Sequence, residues 1–152
     1  MTRLSSDAVR TLTGVAEVLA ASRDDWWLVG GAAVALQGLD VEIADVDVLM
    51  SERDIRRVMA GLGVAPQEGV AIDRVRSKVW VRWTALPLAV DLMTGLQIRN
   101  GERWTLVAPA TREAVQVDSR TLYLPSRAEL AGICRLFGRP KDLDRAAGLG
   151  RL

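Results

Sequence analysis

Three carboxylates stand out by their settings. Asp45 and Asp47 alternate with valines in the string Asp45-Val46-Asp47-Val48, and Asp91 interrupts the apolar run from Leu88 to Met93. Both segments read as short strands, in which side chains alternate between faces. Asp45 and Asp47 therefore point to one side and the two valines to the other. Two carboxylates one pleat apart repel each other and resist burial. Either water or a divalent cation must relieve them. Asp91 poses a similar choice between exposure, an arginine partner and a metal. The metal such a set would take is a hard, oxygen-ligated ion, Mg²⁺ or Mn²⁺, which keeps several waters and bridges to phosphates.

What the chain lacks narrows the chemistry further. It has no histidine, which removes Ser-His-Asp and Cys-His catalysis and every His-ligated metal site. Its single cysteine, Cys134, can form no disulfide within the chain and no multi-cysteine zinc site. That residue lies in an apolar helical stretch and reads as a packed thiol. Neither GxxxxGK[ST] nor GxGxxG is present, so P-loop and Rossmann dinucleotide chemistry have no support. A formal net charge of +1 gives no overall field for bulk nucleic-acid binding. The 152 residues fit one domain, 1–152, with a proper core. No apolar run approaches the ~20 residues of a membrane span, and no signal-peptide pattern opens the chain. The expected location is cytoplasmic.

The elements that must position these carboxylates follow from periodicity. Residues 6–22 carry apolar positions at helical spacing, with Ser6 available as a cap. Trp26 to Val29 is a short buried strand stopped by Gly30-Gly31, and Ala32 to Gly38 suits a short helix. Asp45 to Met50 is the next strand, and Ser51 caps a helix from about Glu52 to Ala60. Residues 61–69 form a loop. From Arg74 to Trp83 the pattern alternates, predicting one half-exposed strand with Arg74, Arg76, Lys78, Trp80 and Arg82 on its basic face. That face is either a solvated edge or an approach for phosphates. Ala89 to Met93 pairs with it as a hairpin. Asn100-Gly101 turns a second hairpin between Leu96–Ile98 and Trp104–Val107. Residues 109–119 give no clear pattern, and 121–124 are brief and apolar. Ser126 and Glu129 have capping-box spacing, opening a helix with Leu130, Ile133, Cys134 and Phe137 inward and Gly138 at its end. A last short helix covers 141–149.

Taken together, Gly30-Gly31 closing a strand, a helix, and then Asp45-Val46-Asp47-Val48 on the next strand resembles the DNA polymerase β-type nucleotidyltransferase superfamily. Ala89 to Gly95 resembles the strand that supplies that superfamily's third carboxylate. Gly138-Arg139-Pro140-Lys141-Asp142 resembles the C-terminal segment of its small bacterial members, some of them antitoxin-like. The likeness spans roughly residues 26 to 147. It implies an α/β (α+β) fold, a small mixed twisted sheet flanked by helices with the aspartates at one edge of a cleft.

The resemblance also implies roles. Asp45, Asp47 and Asp91 would be catalytic and would hold Mg²⁺ or Mn²⁺. Gly30 and Gly31 would admit the phosphates of a nucleoside triphosphate, assisted by Lys141 and by Lys78 from the basic strand. The activity implied is transfer of a nucleoside monophosphate, AMP foremost, to a hydroxyl on a protein partner or small molecule. The sequence departs from the pattern just before the first aspartate. Related enzymes often carry a basic residue and a Thr or Ser there, where this chain has Glu42 and Ala44, with Asp40 nearby. That departure keeps an alternative open, a non-catalytic module of the same fold such as the antitoxin-like half of a toxin–antitoxin complex.

Overall fold

The computed structural model describes residues 3–67 and 74–152. In chain order its elements are α1 (Ser6–Leu19), β1 (Trp27–Val29), α2 (Gly30–Leu36), β2 (Val46–Leu49), α3 (Glu52–Leu62), β3 (Val75–Arg76) and β4 (Val79–Trp83). They continue with β5 (Val90–Thr94), β6 (Gln97–Asn100), β7 (Arg103–Leu106), β8 (Glu113–Val117), β9 (Arg120–Leu124), α4 (Arg127–Phe137) and α5 (Pro140–Gly150). The architecture is the mixed α+β arrangement that the resemblance implies.

The central sheet has the order β1-β2-β5-β4. Its inner pair, β2 and β5, is parallel, with Asp47 opposite Asp91 and Val48 opposite Leu92. β1 and β4 flank this pair in antiparallel orientation. Alternation along β2 works as the sequence demands: Val46 and Val48 are fully buried, and Asp47 faces the other way, partly exposed. Burial of such side chains, worth about 1.5–3 kcal/mol each, fixes the strand's register and hence the aspartate's direction.

Two buried polar side chains lock the neighbouring elements. The Thr11 hydroxyl donates to Asp7 O at 2.8 Å and accepts from Leu88 N at 3.0 Å, tying α1 to the chain just before β5. Asp54, in the first turn of α3, accepts from Arg23 N and Asp24 N at 3.0 and 2.8 Å, tying that helix to the turn before β1. Burial opposes the charge of Asp54, yet those backbone donors outweigh it and hold its pKa below the usual carboxylate range.

Three local expectations need correction. Ser5, not Ser6, caps α1, accepting from Ala8 N, and the helix ends at Leu19. The segment 74–83 is two strands. β4 stays in the central sheet, whereas β3 pairs with β6 in a second sheet, β3-β6-β7. The break at Ser77-Lys78 lies beside Gly95, whose φ of +66° lets β5 turn into β6. Lys78 N donates to Thr94 O at 2.9 Å, so the two neighbouring strands bend together. The third correction concerns 109–124, where β8 and β9 form a hairpin. Its turn residue Asp118 takes a φ of +52° without a glycine, so the usual punctuation was missing.

Candidate active site

Because Asp47 and Asp91 are register partners on parallel strands, their side chains emerge side by side. Asp45 sits immediately before β2. One ligand oxygen from each of Asp45, Asp47 and Asp91 lies within 4.8 Å of the others. Asp91 is buried and firmly held. Trp80 Nε1 donates to its Oδ1 at 3.0 Å, and Arg82, its cross-strand partner on β4, donates from Nη1 to both oxygens at 3.1 Å. Asp47 is held less favourably. Burial first, then the charges of Asp45 and Asp91, push its carboxyl up to about 7, and the charge of Arg139 opposes the shift. A cation placed among the three carboxylates would relieve the repulsion that falls on Asp47. Their all-oxygen donor set suits Mg²⁺ or Mn²⁺.

The glycine pair lies against this cluster. Gly30 has φ +67°, and a Cβ there would fall 2.6 Å from Asp47 Oδ2. A Cβ on Gly31 would meet Arg145 Nη2 at 3.3 Å. Helix α2 thus begins between an aspartate and a guanidinium, starting at Gly30 rather than Ala32.

All three aspartates line one cavity of about 1080 Å³, which also takes in Gly30, Arg139 and Arg145. Arg139 is fixed by the buried Asp142, which accepts from its Nε at 2.6 Å and its Nη2 at 3.1 Å. Arg145 makes no hydrogen bond or ion pair with the described residues. Lys78 lies at the cavity wall, and its Nζ pairs with Glu52 Oε1 at 2.6 Å. Lys141 is exposed on the first turn of α5 and does not line the cavity. The structure therefore brings Gly30 and Lys78 to the cavity with the aspartates, sets Gly31 behind Gly30, and leaves Lys141 outside. Glu42 is exposed and Ala44 lies beside Asp45, but neither lines the cavity.

Sequence reasoning did not single out Arg145 or the pairing of Arg82 with Asp91. The only signal for Arg145 was its spacing of three from Asp142, which places both on one face of a helix. Cys134 is buried, and burial pushes its thiol pKa up, as expected of a packed side chain. No helix among the described residues is long and apolar enough to cross a membrane.

No protein-family model matches the chain, and no curated protein is similar to it in sequence. Solved structures are similar to it in shape. A candidate nucleotidyltransferase from Thermotoga maritima superposes with a TM-score of 0.74, covering 99% of this chain and 94% of that one at 16% identity. The chain has the nucleotidyltransferase fold. Two antibiotic-modifying proteins share this nucleotidyltransferase fold. The lincosamide adenylyltransferase LnuA, solved with lincomycin, gives a TM-score of 0.57 over 98% of both chains at 12% identity. The antibiotic-resistance factor ANT(2'')-Ia gives 0.60 over 94% of this chain and 82% of its own at 10% identity. At such identities the likeness establishes the nucleotidyltransferase fold, and the site must carry the function.

Proposed function

We propose that this protein is a metal-dependent nucleotidyltransferase that moves a nucleoside monophosphate from a nucleoside triphosphate to an acceptor hydroxyl. The observation that carries this reading is the convergence of Asp45, Asp47 and Asp91 on one point of the wall of a cavity large enough for a nucleotide. The acceptor oxygen forms a bond to the α-phosphorus, the bond from that phosphorus to the bridging oxygen breaks, and pyrophosphate leaves. Asp45 and Asp47 would hold Mg²⁺ or Mn²⁺, with Asp91 completing the ligand set. When bound, such an ion would neutralise charge at the phosphates and lower the acceptor's pKa.

The chain's own groups do the rest. Gly30 brings its backbone to the cavity wall beside Asp47, where phosphates can approach it closely, and Gly31 behind it leaves space for Arg145. Arg139 and Arg145 face the same space and offset phosphate charge. Lys78 adds charge at the rim, and Lys141, outside the wall, acts only at long range. Asp91, clamped by Trp80 and Arg82, is oriented to accept the acceptor's proton. AMP from ATP is the favoured donor reaction, since LnuA is named an adenylyltransferase and ANT(2'')-Ia has been solved with adenylyl-2''-tobramycin.

A second reading rests on Arg82. Its Nη1, shared between both carboxylate oxygens, neutralises Asp91 without a metal, as a non-catalytic module of this fold would require. Thermal unfolding with ATP, GTP, CTP or UTP, each with and without Mn²⁺, decides between them. The enzyme reading expects a metal-dependent rise in Tm with one nucleotide, lost in Asp45→Asn, together with pyrophosphate release. Absence of any shift at millimolar nucleotide would sink it.

A further inference from the structure

At about 1080 Å³ the cavity lies at the upper end of the ~300–1,000 Å³ usual for one small ligand. Its walls change character along β5. Next to Asp91 on the cavity face comes Met93, flanked on β4 by Arg82 and Trp80. Beyond the bend at Gly95 the lining is apolar, from Leu96 and Ile98 on one side and Ile133 and Phe137 of α4 on the other. Arg74 and Arg76 also line this stretch, from β3 and the residue preceding it.

These two arginines differ from four other cations at the cavity wall, and unlike Arg145 they are held in place by hydrogen bonds. Arg82, Lys78, Arg56 and Arg139 each pair with a carboxylate: Asp91, Glu52, Glu52 and Asp142 respectively. Arg74 and Arg76 are held by neutral groups instead. Arg74 donates from Nε to Arg99 O and from Nη2 to Asn100 Oδ1, both at 3.1 Å. Arg76 donates from Nε to Gln97 Oε1 at 2.6 Å, with its guanidinium 3.9 Å over the Trp104 ring. Their side chains are thus positioned while their charge stays uncompensated by any described carboxylate. A guanidinium so fixed loses little entropy on meeting an anion.

From this we infer the class of acceptor: a small molecule with an apolar body, a hydroxyl presented at Asp91 and an anionic group met by Arg74 and Arg76. The inference rests on the transferase reading of the same cavity. It disfavours polycationic acceptors, which would bring like charge to these arginines and leave the apolar wall uncovered.

The test measures binding without nucleotide or metal, by tryptophan fluorescence and calorimetry. The probes are ω-hydroxy carboxylic acids of six to twelve carbons and 3-(4-hydroxyphenyl)propionate, set against the matching diols, the matching amino alcohols and tobramycin. The expected result is that one or more carboxylates bind roughly tenfold more tightly than the neutral analogue, with the cationic probes weakest. In Arg74→Gln/Arg76→Gln that preference disappears while diol binding is kept, and Arg74→Lys/Arg76→Lys restores most of it. Equal or tighter binding of the cationic probes, an undiminished carboxylate preference in the glutamine variant, or no binding by any probe overturns the inference. Failure here beside a Mn²⁺-dependent nucleotide shift leaves the transferase reading standing. Carboxylate binding without any nucleotide shift removes that reading and leaves an anion-selective apolar site.

Discussion

Gly30 and Asp47 are fitted to each other: a Cβ on residue 30 would lie 2.6 Å from Asp47 Oδ2. The glycine closes β1 with a backbone turn that L side chains rarely adopt, and the aspartate occupies the space that a side chain would need. The strand end and the Asp47 carboxylate are therefore one packing unit.

Gly30→Ala is expected to cost about 1–3 kcal/mol in urea unfolding, from the left-handed backbone and the collision with Asp47 combined. Combining it with Asp47→Ala separates the two causes. The collision disappears in that background, so the alanine at 30 should cost only its backbone share, and strict additivity would refute the contact.

The pKa of Asp47, pushed up to about 7 from 3.8 by burial and by its acidic neighbours, has a stability consequence of definite sign. A carboxyl whose folded pKa is raised favours the fold while it is protonated. The metal-free protein should thus lose stability as pH rises from about 4 through 7. Asp47→Asn should flatten that profile and stabilise the metal-free protein at pH 8 by roughly 2–4 kcal/mol. Mn²⁺ should reverse the order, raising the Tm of the wild type and not of the variant. A wild-type profile that is flat across pH 5–8 would contradict the environment described for Asp47.

Arg82 competes with any metal for Asp91. Arg82→Gln is expected to tighten Mn²⁺ binding severalfold, read by calorimetric titration, while lowering the metal-free Tm through loss of the pair. Unchanged metal affinity would mean that Asp91 stays out of the ligand set.

Glu129 offers a test away from the cavity. Burial opposes its charge, but donors from Ala110 N, Thr111 N and the Thr111 hydroxyl overcome this and hold its pKa below the usual range. A lowered folded pKa stabilises above the ordinary glutamate value, and that contribution is lost as pH falls through the folded one. Glu129→Gln should cost about 1–3 kcal/mol at pH 7, and the gap from wild type should close below pH 4.

How far these relationships were legible in the sequence depended on whether they are local. The alternation around Asp45 and Asp47 is a property of four consecutive residues, and the structure preserves it because Val46 and Val48 need the core. Ser126 shows the limit. It caps α4 as its spacing with Glu129 suggests, accepting from Glu129 N at 3.2 Å. The Glu129 carboxylate, however, binds the chain at Ala110 and Thr111, and Ser126 N donates to Thr111 Oγ1. A reciprocal box is local; a rival partner fifteen or more residues away has no sequence period. Asp142 makes such a box with Arg139 at α5, where it was not anticipated. The split at Ser77 was hidden because alternation continues through a bend, and only Gly95 on the partner strand marks it.

The parallel pairing of β2 with β5 also bears on how the molecule is assembled. Antiparallel neighbours can close through a tight turn, but a parallel pair must wait for the intervening chain, here everything from α3 to β4. Asp47 and Asp91 therefore meet only after that long loop has closed, a slow kind of event in folding. An early collapsed species could hold β1 against β2 and still bring no third carboxylate to the site. Affinity for Mn²⁺ would then serve as a clock for folding, appearing only with the last long-range strand pairing.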